Sequence, residues 1–389
     1  MISRWILAAG LCGLSLGAGA SPRPQPGLSV RDGVLVKDGR PYRGIGANCF
    51  SLFYRALKDP ADTSYRERLA ELSKAGIPFV RFMCGGFWPV DQKLYLESRE
   101  EFFRRLDDVV KAAEENRVGL IPSLFWHIST VSDLAGEPLD QLGNADSRSI
   151  AHIRRATEEV VRRYRDSPAI WGWEFGNEYN LACDLPNASK HRPDCWPRLG
   201  TPKERTERDE LKFASLRVAF VEFAKAVRGI DKVRFITSGN AMPRPSAHHN
   251  VTEKSWKTDT EEQFGDILRR DNPDPMDVIS VHQYHDRKGV YVGGAKTIGD
   301  AVGLAMRHSE KARKPLFLGE FGAERQLGPR EKQEAVFREF LDAIERHGVP
   351  LAAFWVFDLP PQKDDWNVDF TNDRAWMIER VAQANARMR

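Results

Sequence analysis

Cysteine is scarce in this 389-residue chain: there are five, and Cys12 lies within the first twenty residues. None of the remaining Cys49, Cys84, Cys183 and Cys195 sits in a C-x-x-C pair. A thiolate zinc site is therefore not indicated, and no metal or other cofactor is expected. Charge of one sign is scarce as well: 58 Lys and Arg against 55 Asp and Glu leave a net +3, with no basic run to concentrate it. That excludes the electrostatic footprint of a nucleic-acid binder. Long apolar runs are missing too, since no stretch reaches the ~18 residues of a membrane span. No G-x-G-x-x-G occurs, which argues against a doubly wound dinucleotide fold. What the chain has is apolar bulk, with 41% hydrophobic residues and 10 Trp. Such a sequence is not disordered and can fill a large core.

Met1 to Ala20 reads as an export signal, with Arg4 at the start, an apolar Trp5–Leu16 and the small residues Ala18-Gly19-Ala20 at its end. The mature chain is expected to be secreted or periplasmic, without attachment to a membrane. Residues 21–27 form a Pro-rich leader, and 28–389 read as one domain. In an oxidising compartment Cys183 and Cys195 are close enough in sequence to clip the loop between them. Cys49 and Cys84, flanked by apolar residues, are either buried thiols or a second bridge.

Leu28 to Tyr42 carries Asp32-Gly33 and Asp38-Gly39 between alternating apolar residues, the pattern of a small hairpin. Thereafter one unit recurs. Eight short apolar runs (Tyr42–Cys49, Pro78–Met83, Gly119–Phe125, Ala169–Gly176, Val233–Thr237, Val278–His282, Leu316–Gly319 and Leu351–Phe357) alternate with amphipathic stretches. In Arg99–Asn116, for instance, Phe102, Phe103, Leu106, Val109, Val110 and Ala113 fall at helical spacing. Strand and helix alternating eight times predict an α/β fold, a (β/α)8 TIM barrel preceded by the hairpin.

In such a barrel the reactive groups gather at the carboxyl ends of the strands. The runs close on Arg81, His127, Asn177-Glu178, His282 with Tyr284, Glu320 and Trp355. Core packing gives no reason for polar groups at so many equivalent places. Runs four and seven lie across the barrel, so Glu178 and Glu320 can approach a bound sugar from two sides. Glycoside cleavage needs one carboxyl protonated and the other ionised. Arg81 and the Tyr284 hydroxyl beside Glu320 would favour its charged form, while a water-poor pocket would keep Glu178 protonated. Asn177 is placed to bond a sugar hydroxyl, and Trp355 offers a flat face to the ring.

At these residues the chain resembles the cellulase-type glycoside hydrolases of family 5, in the clan of retaining barrel enzymes. The likeness runs from the hairpin to at least Asp358. It is carried by Phe79-Val80-Arg81-Phe82, His127, Trp173-Glu174-Phe175-Gly176-Asn177-Glu178, His282-Gln283-Tyr284, Leu318-Gly319-Glu320-Phe321-Gly322 and Ala353-Phe354-Trp355. The resemblance implies a retaining mechanism with Glu178 as acid/base and Glu320 as nucleophile, roughly 5–5.5 Å apart. It implies a secreted, monomeric endo-β-glycosidase cutting a β-glucan-like or β-mannan polysaccharide or oligosaccharide without a cofactor. An exo-acting glycosidase, a transglycosylase and a non-catalytic carbohydrate-binding barrel are the alternatives. Tyr179 stands where many members have Pro, and mannan-cleaving members typically carry Asn in place of His127. Phe50, Phe53, Trp88, Trp126, Trp196 and Trp366 are candidate sugar platforms, with Trp88 and Trp196 preferred because they lie in polar connections. Glu174 reads as an interior ion-pair partner rather than a catalyst.

Overall fold

The structure, a computed structural model, describes residues 26–388. The export signal expected at Met1–Ala20 lies outside the described residues. Eight parallel strands form one sheet: β1 (Gly44–Asn48), β2 (Phe79–Met83), β3 (Gly119–Phe125), β4 (Gly172–Gly176), β5 (Phe235–Thr237), β6 (Ile279–His282), β7 (Leu316–Phe321) and β8 (Leu351–Phe354). Their order, β5-β4-β3-β2-β1-β8-β7-β6, brings the first and last strands together as a barrel requires. The seam between β5 and β6 is bridged by Asp277 N–H to Ile236 O at 2.9 Å and Met242 N–H to His282 O at 3.1 Å. The expected TIM barrel is present.

Each strand is followed by a helix: α1 (Tyr65–Lys74), α2 (Arg99–Asn116), α3 (Arg148–Tyr164), α4 (Phe213–Ile230), α5 (Glu261–Asp271), α6 (Ile298–Lys311), α7 (Arg330–Arg346) and α8 (Trp376–Met388). Their starts follow local chemistry. Ser147 Oγ accepts the Ile150 N–H at 3.1 Å to cap α3, and Thr297 with Asp300 forms a reciprocal capping box on α6. In α2 the apolar face buries Phe102, Phe103, Leu106, Val109 and Ala113 against the strands.

The hairpin region is a three-stranded antiparallel sheet of Ser29–Arg31, Val34–Lys37 and Arg40–Pro41. Both Asp-Gly turns take left-handed backbone, Asp32 and Asp38 at φ 51°. Leu28 and Leu35 from this segment pack against Phe79, Ile121, Trp171, Phe235 and Phe317 at the amino-terminal ends of the strands. The sheet therefore plugs the barrel floor and leaves the opposite mouth for chemistry.

Candidate active site

Arg81 sits on β2, fully buried, and organises the mouth. Its Nε donates to both oxygens of Glu174 on β4, at 2.8 and 3.0 Å. Its Nη1 donates to Glu320 Oε1 at 2.7 Å and to Asn48 Oδ1 at 3.0 Å, and its Nη2 to Asn177 Oδ1 at 2.8 Å. The guanidinium plane lies 4.5 Å from the Trp126 ring. A buried cation survives only with such a complete set of partners.

Glu320 is the penultimate residue of β7, where the pairing register with β6 shifts between Leu318 and Glu320. Its second oxygen accepts the Tyr284 hydroxyl at 2.6 Å. Both carboxylate oxygens are thus held as acceptors, which fixes the orientation of the group. The phenol of Tyr284 is pushed well above its ordinary value, first by burial and then by the neighbouring Glu320, so it remains a donor.

Glu178 is held differently. It follows β4 in left-handed backbone, φ 55°, an uncommon conformation for a non-glycine residue. Its N–H donates to Gly239 O at 2.9 Å. Gly239 itself has φ +72°, and a Cβ there would run into Gly176 O, so only glycine lets the two chain segments meet. The Glu178 carboxyl touches His282 Nδ1 at 3.0 Å, and no cation lies within ion-pair distance of it among the described residues apart from that ring. Desolvation in the cleft raises its pKa, partly opposed by the fields of Arg81 and Arg244. His282 is pushed down to about 3, chiefly by burial, so its ring is neutral. Carboxylate oxygens of Glu178 and Glu320 and a ring nitrogen of His282 lie within 4.8 Å of one another.

Two hollows meet at Glu178 and Tyr284. One, of about 470 Å³, includes Glu320 and is walled by Trp355, Trp366, Trp126, Phe50 and Phe87. The other, of about 340 Å³, is walled by Met242, Arg244, His285 and Tyr291. Trp355 is fixed by Nε1 donating to Gln362 Oε1 at 3.0 Å.

Of the expected site residues, Arg81, Asn177, Glu178, His282, Tyr284, Glu320 and Trp355 converge here. His127 lines neither hollow: its ring packs 4.6 Å from Phe87 and 4.8 Å from Trp88, and burial pushes it down to about 4. Trp88 is taken up by that stack, and Trp196 stands 45% exposed on the fourth connection beside Arg198. Neither preferred platform lines a hollow next to the glutamates. Phe50, Trp126 and Trp366 do, whereas Phe53 is buried in the core against Phe102. The Cys183–Cys195 clip is not formed: all four described cysteines are free. Cys183 turns inward, with Sγ 3.4 Å from Tyr179 O, whereas Cys195 stays part-exposed on the loop. Cys49 and Cys84 are buried thiols, each pushed up to about 12 by burial. Sequence reasoning missed Phe87, Gln362 and Arg244. The loops that carry them have no periodicity to betray which way they face.

The barrel, with a carboxylate pair at the carboxyl ends of β4 and β7, defines the class: a glycoside hydrolase built on a (β/α)8 barrel. The sequence profile of Cellulase (glycosyl hydrolase family 5) matches residues 38–358. The chain belongs to glycosyl hydrolase family 5. It is 24% identical to the "Putative mannan endo-1,4-beta-mannosidase 9" of Oryza sativa subsp. japonica over 84% of this chain and 80% of that one. It is 28% identical to the "Probable mannan endo-1,4-beta-mannosidase A" of Aspergillus flavus over 41% of this chain, spanning 45% of that relative's length. In fold it matches the endo-1,4-beta-mannanase of Rhizomucor miehei, with a TM-score of 0.66 at 16% identity over 93% of this chain and 99% of that one. Among the described residues no helix is long and apolar enough to cross a membrane.

Proposed function

We propose that this chain is a secreted, retaining endo-β-glycosidase that cleaves a β-mannan-type polysaccharide by double displacement. The observation that carries the mechanism is the unequal environment of two carboxyls whose oxygens lie within 4.8 Å of each other. That approach suits direct attack, whereas an inverting pair stands about 6.5–9.5 Å apart to admit a water. Glu320, held by Arg81 and Tyr284, is the nucleophile. It attacks the anomeric carbon as the bond to the leaving oxygen breaks and Glu178 gives that oxygen its proton. A water then loses a proton to Glu178, attacks the same carbon, and releases Glu320 from the glycosyl ester. Asn177, whose Oδ1 is held by Arg81, is positioned to meet a hydroxyl beside the reacting carbon.

Mannan is favoured over β-glucan because the curated relatives are named for mannan hydrolysis. Internal cleavage is supported by hollows open on both sides of Glu178, giving a chain two directions to leave. The export-type start of the sequence supports action outside the cytoplasm, by one domain spanning 28–389 working as a monomer. The test is a polysaccharide screen that reads reducing ends and sizes the products. Rapid loss of polymer length on β-mannan, abolished in Glu178→Ala and Glu320→Ala with the fold intact, is expected. Near-full activity of either variant would overturn the assignment.

A further inference from the structure

The hollow on the Glu178 side contains the acid/base but not the nucleophile, so in the mechanism above it receives the leaving sugar. Its wall carries Arg244, from the loop that follows β5. The guanidinium is anchored from behind: Nε and Nη2 both donate to Leu181 O, at 3.1 and 2.9 Å. Its Nη1 makes no hydrogen bond within the protein among the described residues, and no carboxylate lies within ion-pair distance of the group. The buried or half-buried Arg55, Arg81, Arg205 and Arg270 each have an acidic partner, and Arg374, which has none, gives both Nη atoms to the carbonyls of Asp365 and Ala323. Desolvation lowers the pKa of Arg244, and the field of Glu178 from the same hollow opposes it without the two groups coming within ion-pair distance.

Apart from Glu178, the ionisable groups of the hollow are engaged elsewhere. His282 is neutral and engaged with Glu178. His285 faces the Tyr291 hydroxyl at 3.4 Å. Asp286 folds back on its own loop, Oδ1 accepting the N–H groups of Lys288 at 2.7 Å and Val290 at 3.2 Å. Met242, Pro243 and Pro245 give the wall beside Arg244 an apolar stretch. A preorganised guanidinium edge with a free Nη1 matches a carboxylate far better than it matches a neutral hydroxyl.

We propose that the leaving-group side of this cleft takes a carboxylate-bearing sugar, a uronic acid in chemical class, with Arg244 pairing to the carboxylate. The proposal rests on the assignment of Glu178 and Glu320 above. It adds to that reading a preference, at the leaving side of the β-mannosidic bond, for an acidic residue over a neutral one.

The test uses two disaccharides, β-mannosyl-1,4-glucuronic acid and β-mannosyl-1,4-glucose, which differ only in carboxylate against hydroxymethyl. Binding to the Glu320→Ala protein is measured by calorimetry. The uronate is expected to bind at least about tenfold tighter, as a charge-assisted pair would give. Adding Arg244→Gln should bring the two affinities together, and Arg244→Lys should restore part of the preference. Equal binding, no binding of either, or a preference that survives Arg244→Gln would overturn the proposal. A separate measurement isolates the parent reading: Glu320-dependent hydrolysis of neutral β-mannan without a uronate preference refutes Arg244 alone. Hydrolysis that persists in Glu320→Ala refutes the mechanism whatever the binding shows.

Discussion

Arg81 donates its Nε to both carboxylate oxygens of Glu174, at 2.8 and 3.0 Å, with both side chains wholly out of water. The same guanidinium reaches Glu320 with Nη1 at 2.7 Å. One cation therefore serves two carboxylates on opposite strands, and only Glu320 of the two lines the cleft. Glu174 anchors the arginine so that its remaining edge points at Glu320.

Replacing Glu174 with Gln should destabilise the fold by about 3 kcal/mol, because it leaves a buried cation with half its anionic partners. Burial raises the pKa of Glu174 and Arg81 opposes that rise, so the measured loss is the pairing energy less the desolvation that Gln no longer suffers. Urea unfolding at neutral pH measures the difference. A variant as stable as the parent would show that Arg81 is adequately neutralised by Glu320 alone.

Burial holds the Glu178 carboxyl above its ordinary value of 4.5, so the folded chain retains a proton that the unfolded chain has released. The stability linked to this proton is full below the unfolded value and fades as pH rises through the folded one. Glu178→Gln, which never ionises, should therefore gain melting temperature over the parent at pH 8 and little at pH 4. On the proposed mechanism, activity of the parent should fall over the same alkaline range, as Glu178 loses the proton it would donate. Paired melting curves and a kcat/KM profile check both halves. An identical melting difference at the two pH values would remove the shifted carboxyl from the account.

The barrel was legible because each of its eight units repeats the same switch from apolar run to amphipathic helix. Strand ends then mark one mouth without any knowledge of loops. That is why Arg81, Asn177, Glu178, Tyr284, Glu320 and Trp355 could be found in advance. Where chain direction is not periodic, the reading failed for identifiable reasons. The amphipathic stretch between the fourth and fifth runs spans Glu207–Arg228, but α4 begins only at Phe213, because Thr206 and Asp209 close a capping box on a single 3-10 turn before it. β5 is shorter than Val233–Thr237 because the backbone N–H groups of Val233 and Arg234 both donate to Asp231 Oδ1 rather than to a neighbouring strand. Trp88 and Trp196 were chosen for their polar surroundings, but the cleft is walled by rings from other loops. Trp366, which packs 4.8 Å from Tyr284, is one of these.

Tyr284→Phe removes the donor on Glu320 Oε2 and leaves the ring that packs on Trp366. A hydrogen bond to a charged group is worth about 1.5–3 kcal/mol, so kcat should fall roughly 10–100-fold with little change in melting temperature. Burial keeps the phenol protonated, so the loss should be uniform across the working pH range. A defect confined to one limb of the pH profile would mean the hydroxyl acts on Glu178 instead.

Gly319 tests how tightly the imidazole between the two glutamates must be held. A Cβ at this β7 position would stand 2.8 Å from His282 Nε2 and 3.0 Å from Cδ2, too close for either atom to stay. The ring has little freedom to yield, since its other nitrogen is 3.0 Å from Glu178 Oε1 and its side chain is fully buried. Gly319→Ala should therefore push the imidazole toward the carboxyls and spoil the spacing of Glu178 and Glu320. Gly172→Ala makes the useful contrast, because its Cβ would strike the Phe235 ring at the barrel floor, where no reacting group lies. Both variants overpack the barrel and should lose about 1–3 kcal/mol of stability. Only Gly319→Ala should lose kcat by a further order of magnitude among the molecules that remain folded. Active-site titration with a mechanism-based fluoroglycoside counts those molecules and separates the two effects. Equal specific activity per titrated site in the two variants would mean that the imidazole has room to move without consequence, and that His282 packs the site rather than setting its geometry.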